Sequence, residues 1–101
     1  MDDAGRQRLD KWLWFARLVK TRALAVRLVE AGDVRVNRLR VAKPGHDVKP
    51  GDVLTILLHG HVRVLRIRGL APRRGASAQA VTLYEDLAQG GPAQNMDASG
   101  A

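Results

Sequence analysis

Apolar residues recur with a helical period near the start of the chain. Leu9, Trp12, Leu13 and Ala16 fall at i, i+3, i+4 and i+7 and share one face of a helix. A second stripe, Lys11, Trp14, Phe15 and Leu18, lies roughly opposite. Large aromatics there either close against a following sheet or stand out as an aromatic and basic platform. Thr21 can accept from an unpaired backbone amide, which predicts a second helix over 22–31 with Leu24, Ala25, Leu28 and Ala31 as its core face. Gly32 follows where helices commonly stop in a left-handed residue. Residues 1–7 carry no periodic apolar residue and read as a flexible lead-in.

The pattern then switches to alternation. Val34–Val36 and 39–41 can pair around Asn37-Arg38, so that Val36 faces Leu39, Val34 faces Val41, and Arg35 faces Arg40 on the other side. Like charges directly opposite cost on the order of 0.2 to 1 kcal/mol, an arrangement that makes sense if an anion sits between them at work. In a type I′ turn Arg38 must take positive φ at roughly 1 to 2 kcal/mol, and a longer turn is the alternative. Pro44-Gly45 and Lys49-Pro50-Gly51-Asp52 signal turns. Val53–Leu58 reads as a strand, His59-Gly60-His61 as a tight turn and 62–68 as the returning strand. Its inward phase shifts between Val64 and Leu65, which predicts a bulge or a strand covered on both faces. Arg63, Arg66 and Arg68 either extend the basic surface or are the wet side of that strand. After an Arg73-Arg74 loop, Ser77 can cap a short final helix with Ala80, Leu83, Tyr84 and Leu87 at helical spacing, while Val81 and Leu83 also suit a strand. Residues 89–101 offer nothing to pack and read as a disordered tail. The pattern gives one α+β domain over 8–88.

Composition agrees with that reading. At 101 residues, 46% hydrophobic and 27% charged, the chain is large enough for one modest core. It has no cysteine, which excludes disulfides, thiolate metal sites and a cysteine nucleophile. The longest apolar run, Val53–Leu58 with Thr55 inside it, is far too short to span a membrane. The first residues, MDDAGRQR, lack the apolar core of an export signal, so a cytoplasmic location is expected.

Charge changes the picture most. The net charge is +7, yet residues 6–43 hold eleven Lys and Arg against Asp10, Glu30 and Asp33, a local +8 that leaves the remainder close to neutral. Cationic charge concentrated on a helical hairpin points to a polyanionic partner, with nucleic acid and anionic membrane both open on charge alone. The amides that open the second helix, flanked by Lys20 and Arg22, would suit a phosphate.

The residues that carry the charge also carry a resemblance. Arg8-Leu9-Asp10-Lys11, then Arg17-Leu18-Val19-Lys20-Thr21-Arg22, Ala25, Glu30-Ala31-Gly32, Val34, Val36-Asn37 and Val48-Lys49-Pro50-Gly51-Asp52 together resemble the S4 RNA-binding domain, over about half the chain. Trp12-Leu13-Trp14, Lys20-Thr21-Arg22, Arg73-Arg74, Ala76-Ser77 and Leu83-Tyr84-Glu85 are similar to its stand-alone heat-shock protein fifteen group. A related stand-alone group serves ribosome-associated quality control. The resemblance implies a two-helix and hairpin motif over 8–43, laid on a small, mostly antiparallel sheet and followed by a short C-terminal helix. It also implies binding to structured ribosomal RNA, on large subunits that still carry peptidyl-tRNA.

Carried over by position, Arg8 and Arg22 come first, with Lys11, Lys20, Thr21, Arg35, Asn37 and Lys43 around them. Arg17, Arg27, Arg38 and Arg40 complete the candidate RNA-binding set. Two departures stand out: Arg38 replaces the family's usual Gly, and the long basic C-terminal extension of some heat-shock protein fifteen members is missing.

An enzymatic reading finds little support. Arg8-Leu9-Asp10 is like the motif that supplies the catalytic Asp of pseudouridine synthases, but here it opens a helix with no catalytic domain after it. His59 and His61 lack a third ligand, and no phosphate loop or activated nucleophile is in evidence. We therefore expect a monomeric, non-enzymatic RNA binder without cofactor, metal or membrane partner, selecting RNA by shape. A general DNA-binding module and a protein adaptor using the Trp14 face are the alternatives.

Overall fold

Burying the Leu9, Trp12, Leu13 and Ala16 face organises the whole domain. The computed structural model describes residues 5–71 and 77–88. The expectations for residues 1–4, the Arg73-Arg74 loop and the tail over 89–101 lie outside them. Gln7–Arg8 form a short strand β1, followed by α1 (Leu9–Phe15), α2 (Arg22–Glu30) and the hairpin β2 (Val34–Val36) and β3 (Leu39–Arg40). Then come β4 (Asp47–Val48), β5 (Val53–Leu58), β6 (His61–Ile67), α3 (Ser77–Ala80), a 3-10 turn (Val81–Leu83) and β7 (Tyr84–Ala88). Five strands form an antiparallel sheet in the order β3-β2-β5-β6-β7, while β1 pairs with β4. The α+β expectation, two helices and a hairpin on a small antiparallel sheet, is met. Gln7, taken from sequence as part of the lead-in, instead pairs with Val48 and donates from Nε2 to the Ala71 carbonyl at 2.6 Å.

The core is shared between the helix pair and one face of the sheet. Leu9, Trp12, Leu13, Ala25 and Val29 are fully buried against Val34, Leu54, Ile56 and Leu65. Trp12 donates from its indole nitrogen to the Gly69 carbonyl at 2.9 Å and meets Tyr84 edge-on. On the opposite stripe both expectations hold in part: Phe15 is buried, while Trp14 is half-buried and stacks on it at 5.4 Å.

Both helices end by bending back on their last carbonyls. In α2 the Gly32 amide donates to Val29 and the Asp33 amide to Leu28, with Gly32 at φ 82°. The Arg40 guanidinium lies over Gly32 but can swing aside, so it is the backbone that favours glycine there. In α1 the same bonds run from Arg17 to Trp14 and from Leu18 to Leu13, and Arg17 holds the left-handed position at φ 61°.

The start of α2 is as expected, with Thr21 Oγ1 accepting from the Leu24 amide at 3.1 Å. Its inward face is corrected. Ala25 and Val29 face the core, whereas Leu24 is 41% exposed, Leu28 is half-buried and Ala31 is exposed. Both sets have i, i+4 spacing; the structure places the smaller pair against α1 and turns the leucines outward.

The arginine hairpin has the expected register, Arg35 opposite Arg40 and Val36 opposite Leu39, and Asn37 and Arg38 sit at φ 51° and 76° as a type I′ turn requires. Leu39 is 72% exposed because β3 is the edge strand. The shift expected between Val64 and Leu65 is a bulge in the pairing of β6 with β7.

Beyond Ala80 the helical reading of Leu83, Tyr84 and Leu87 is corrected: the helix stops at Ala80 and the chain becomes β7. Pairing with β6 supplies partners for backbone groups that a longer helix would have left on an open sheet edge. Arg63 and Arg66 are therefore no extension of the basic surface, since they pair with Asp86 at 2.8 Å and Glu85 at 3.3 Å.

Candidate nucleic-acid interface

Asp10 lies in the first turn of α1 with its carboxylate 1% exposed. Oδ1 accepts from the Lys11 amide at 2.8 Å and from Arg8 Nε at 3.1 Å, and Oδ2 accepts from an Arg8 terminal nitrogen at 3.1 Å and from Arg22 Nε at 3.4 Å. One buried carboxylate thus grips guanidinium groups from two different elements. The side chains of Arg8 and Arg22 remain 48% and 39% exposed.

Burial pushes the Asp10 carboxyl up, but the Arg8 hydrogen bond, the Lys11 amide and the charges of Arg22 and Arg8 outweigh it and hold it below the usual carboxylate range. Two cations on one anion leave a unit of positive charge, so the pairing orients the arginines without cancelling them. Both arginines are well exposed, so solvent screens their side of each pair and what they gain is chiefly position, whereas the buried carboxylate depends on these donors to stay ionised.

The turn after β3 abuts this cluster. Leu9 donates to the His46 carbonyl at 2.8 Å and Asp10 to the Pro44 carbonyl at 3.1 Å, while Arg8 passes over Gly45. Exposed Lys43, whose carbonyl accepts from the His46 amide, borders the same corner, and half-buried Lys11 follows Asp10 on α1. On the hairpin, Arg35, Arg38 and Arg40 are all exposed, with Arg35 and Arg40 directly across from each other.

Other candidates fall elsewhere or have other work. Thr21 caps α2. The Asn37 side chain accepts from the Val53 amide at 2.9 Å and donates to Asp52 at 3.1 Å, locking the hairpin tip to β5. Arg17, Lys20 and Arg27 line a separate groove of about 1090 Å³ between α2 and the β5–β6 turn. In sequence Asp52 reads as part of a turn and of the S4 resemblance, which misses its role as a buried acceptor. It is 5% exposed and accepts from Asn37, the Lys49 amide and Lys49 Nζ. Among the described residues no helix is long and apolar enough to cross a membrane.

Comparison with known proteins covers most of the chain. A model of the S4 domain family matches residues 7–54. Heat shock protein 15 of Escherichia coli K12 is 39% identical over 82 residues, 81% of this chain and 61% of that protein, so the chain spans about three-fifths of that relative's length. The RQC P-site tRNA stabilizing factor of Listeria innocua is 37% identical, with 83% of this chain and 89% of the relative aligned. The solved structure of Vibrio cholerae heat shock protein 15 superposes with a TM-score of 0.78 at 38% identity, covering 84% of this chain and 85% of that one, and is described as trimeric.

Proposed function

The chain belongs to the S4 domain family, and from that premise we propose that it is a non-enzymatic protein that docks on structured ribosomal RNA. The observation that carries this reading is the pair of guanidinium groups, Arg8 and Arg22, held on the single buried carboxylate of Asp10 with their outer edges open. Guanidinium groups oriented in advance lose little freedom on meeting phosphate. Lys11, Lys43 and the hairpin arginines Arg35, Arg38 and Arg40 supply further phosphate contacts, and shape sets selectivity.

The large ribosomal subunit that carries stalled peptidyl-tRNA is the target we assign, in the cytoplasm. The names of the relatives support it: a heat shock protein and a factor that stabilises P-site tRNA in ribosome quality control. Arg8, Asp10 and Arg22 come from one chain, so we take a single copy as the docking unit. Sedimentation of the free protein decides between that and a trimer like the Vibrio relative.

Charge reversal at Arg8 or Arg22 tests the reading. Each variant should remain folded at the assay temperature, with a lowered melting point from the poorly paired Asp10 carboxylate, and lose at least about tenfold in affinity for ribosomal RNA, a loss of about 1.4 kcal/mol. Unchanged affinity in both, or a preference for duplex DNA in direct competition, overturns it.

A further inference from the structure

The groove on the other side of α2 takes no part in the docking described above. It has a volume of about 1090 Å³, at the upper end of typical ligand sites. Leu24, Leu28, Leu57 and Val81 line it, and three of these stand open at 41%, 41% and 59% exposure. Five large apolar side chains are exposed among the described residues, and three of the five gather here. Apolar side chains collected in one concavity mark an interaction site, whereas scattered ones do not.

The groove also has a sign. Arg17, Lys20 and Arg27 line it, with Asp33 the single carboxylate among its described residues.

We propose that this groove receives an acidic amphipathic helix of a partner protein, with aliphatic side chains seated against Leu24, Leu57 and Val81 and carboxylates paired with Arg17, Lys20 and Arg27. Charge complementarity selects an acidic occupant. The aliphatic lining selects a peptide over RNA: unstacked bases are held on aromatic faces, whereas helices in grooves are read through aliphatic anchors spaced by helical turns. Of the two ring side chains in the lining, Tyr84 is already engaged edge-on by Trp12 and capped by Arg63 at 5.5 Å, which leaves His59 on the β5–β6 turn as the one remaining ring. Three cations that the sequence assigns to RNA thus serve a second partner, and the domain joins that partner to the RNA held by Arg8 and Arg22.

Three probes test this on the full chain: a designed helical peptide with leucines at i, i+3, i+4 and i+7 flanked by glutamates, its lysine-for-glutamate counterpart, and a short single-stranded oligoribonucleotide. The acidic peptide should bind with a micromolar Kd and shift the amide resonances of Leu24, Leu57 and Val81. Leu24→Glu and Leu57→Glu should each weaken it at least about tenfold and leave ribosomal RNA affinity unchanged. Both positions are half-open, and matching melting curves confirm that the core is intact. Arg27→Glu checks the charged side independently. Equal binding of the lysine peptide, occupation of the groove by the oligoribonucleotide, or no shift at these residues with millimolar acidic peptide overturns the proposal.

Discussion

Asn37 donates from its side-chain nitrogen to Asp52 Oδ1 at 3.1 Å, tying the tip of the arginine hairpin to the turn that precedes β5. The same Asn37 side chain accepts from the Val53 amide, and Asp52 also holds the Lys49 amide and ammonium at 3.0 and 2.9 Å. A left-handed Asn37-Arg38 pair would not persist without such support. Asp52 therefore acts on the hairpin from outside it.

Removing that carboxylate should be felt in both stability and binding. Asp52→Ala leaves the Asn37 amide and the Lys49 backbone without their acceptor, a loss of about 1 to 3 kcal/mol in urea denaturation. Asp52→Asn keeps an acceptor oxygen and should fall between Ala and the parent. If the hairpin tip loosens, RNA affinity falls in the same order, although Asp52 itself contacts no phosphate. Equal stability of all three proteins would show that the lock contributes nothing.

Acid should unfold the domain through two named carboxylates. At Asp52 burial raises the carboxyl, but hydrogen bonds from Lys49 and Asn37 and the Lys49 charge prevail and hold it low, and Asp10 is held low by Arg8, the Lys11 amide and Arg22. A carboxylate depressed in the folded state contributes stability that is fully present above its unfolded value of about 3.9. That stability is lost as pH falls from there through the folded value. Melting temperature should hold steady near neutral pH and drop below about pH 4, and Asp10→Asn with Asp52→Asn should flatten that drop. A decline already complete at pH 6 would implicate other groups.

Arg38 offers a gain in stability at the expense of binding. At φ 76° it occupies a position that glycine takes without strain. Relief of roughly 1 to 2 kcal/mol is partly offset by the greater freedom of glycine in the unfolded chain, about 0.4 to 1 kcal/mol. Arg38→Gly should therefore raise the urea midpoint modestly and weaken RNA binding. A variant that is less stable would mean that Arg38 makes contacts that outweigh its strain.

Much of this was legible in sequence because local signals and global burial agree. The Leu9, Trp12, Leu13 and Ala16 stripe, the Thr21 cap, the Gly32 stop and the Asn37-Arg38 turn each have a period or a backbone requirement that leaves few alternatives. What was not legible depends on contacts between distant segments. Leu24 and Ala25 lie on adjoining helical faces, and only the packing against α1 decides which turns inward. Tyr84–Ala88 has both helical and strand character, and the open edge of β6 decides for strand. Likewise the basic candidates form one run in sequence, yet helix geometry sends Arg22 to Asp10 and Arg17, Lys20 and Arg27 to the groove.

Arg35 gives the cleanest separation of folding from function. It faces Arg40 directly across β2 and β3, and both are exposed. Arg40 also lies over Gly32 at the end of α2, whereas Arg35 has no such second neighbour in the contacts described. Arg35→Thr places a β-branched residue in the strand and removes the repulsion, which should stabilise the free protein by about 0.2 to 1 kcal/mol. If Arg35 meets an RNA phosphate, the same change weakens binding and reduces the slope of log affinity against log salt by about 0.7 to 0.9. Denaturation and binding measured on one preparation at several salt concentrations read both effects. Higher stability with an unchanged salt slope would remove Arg35 from the RNA face and leave its repulsion with Arg40 without a functional cause.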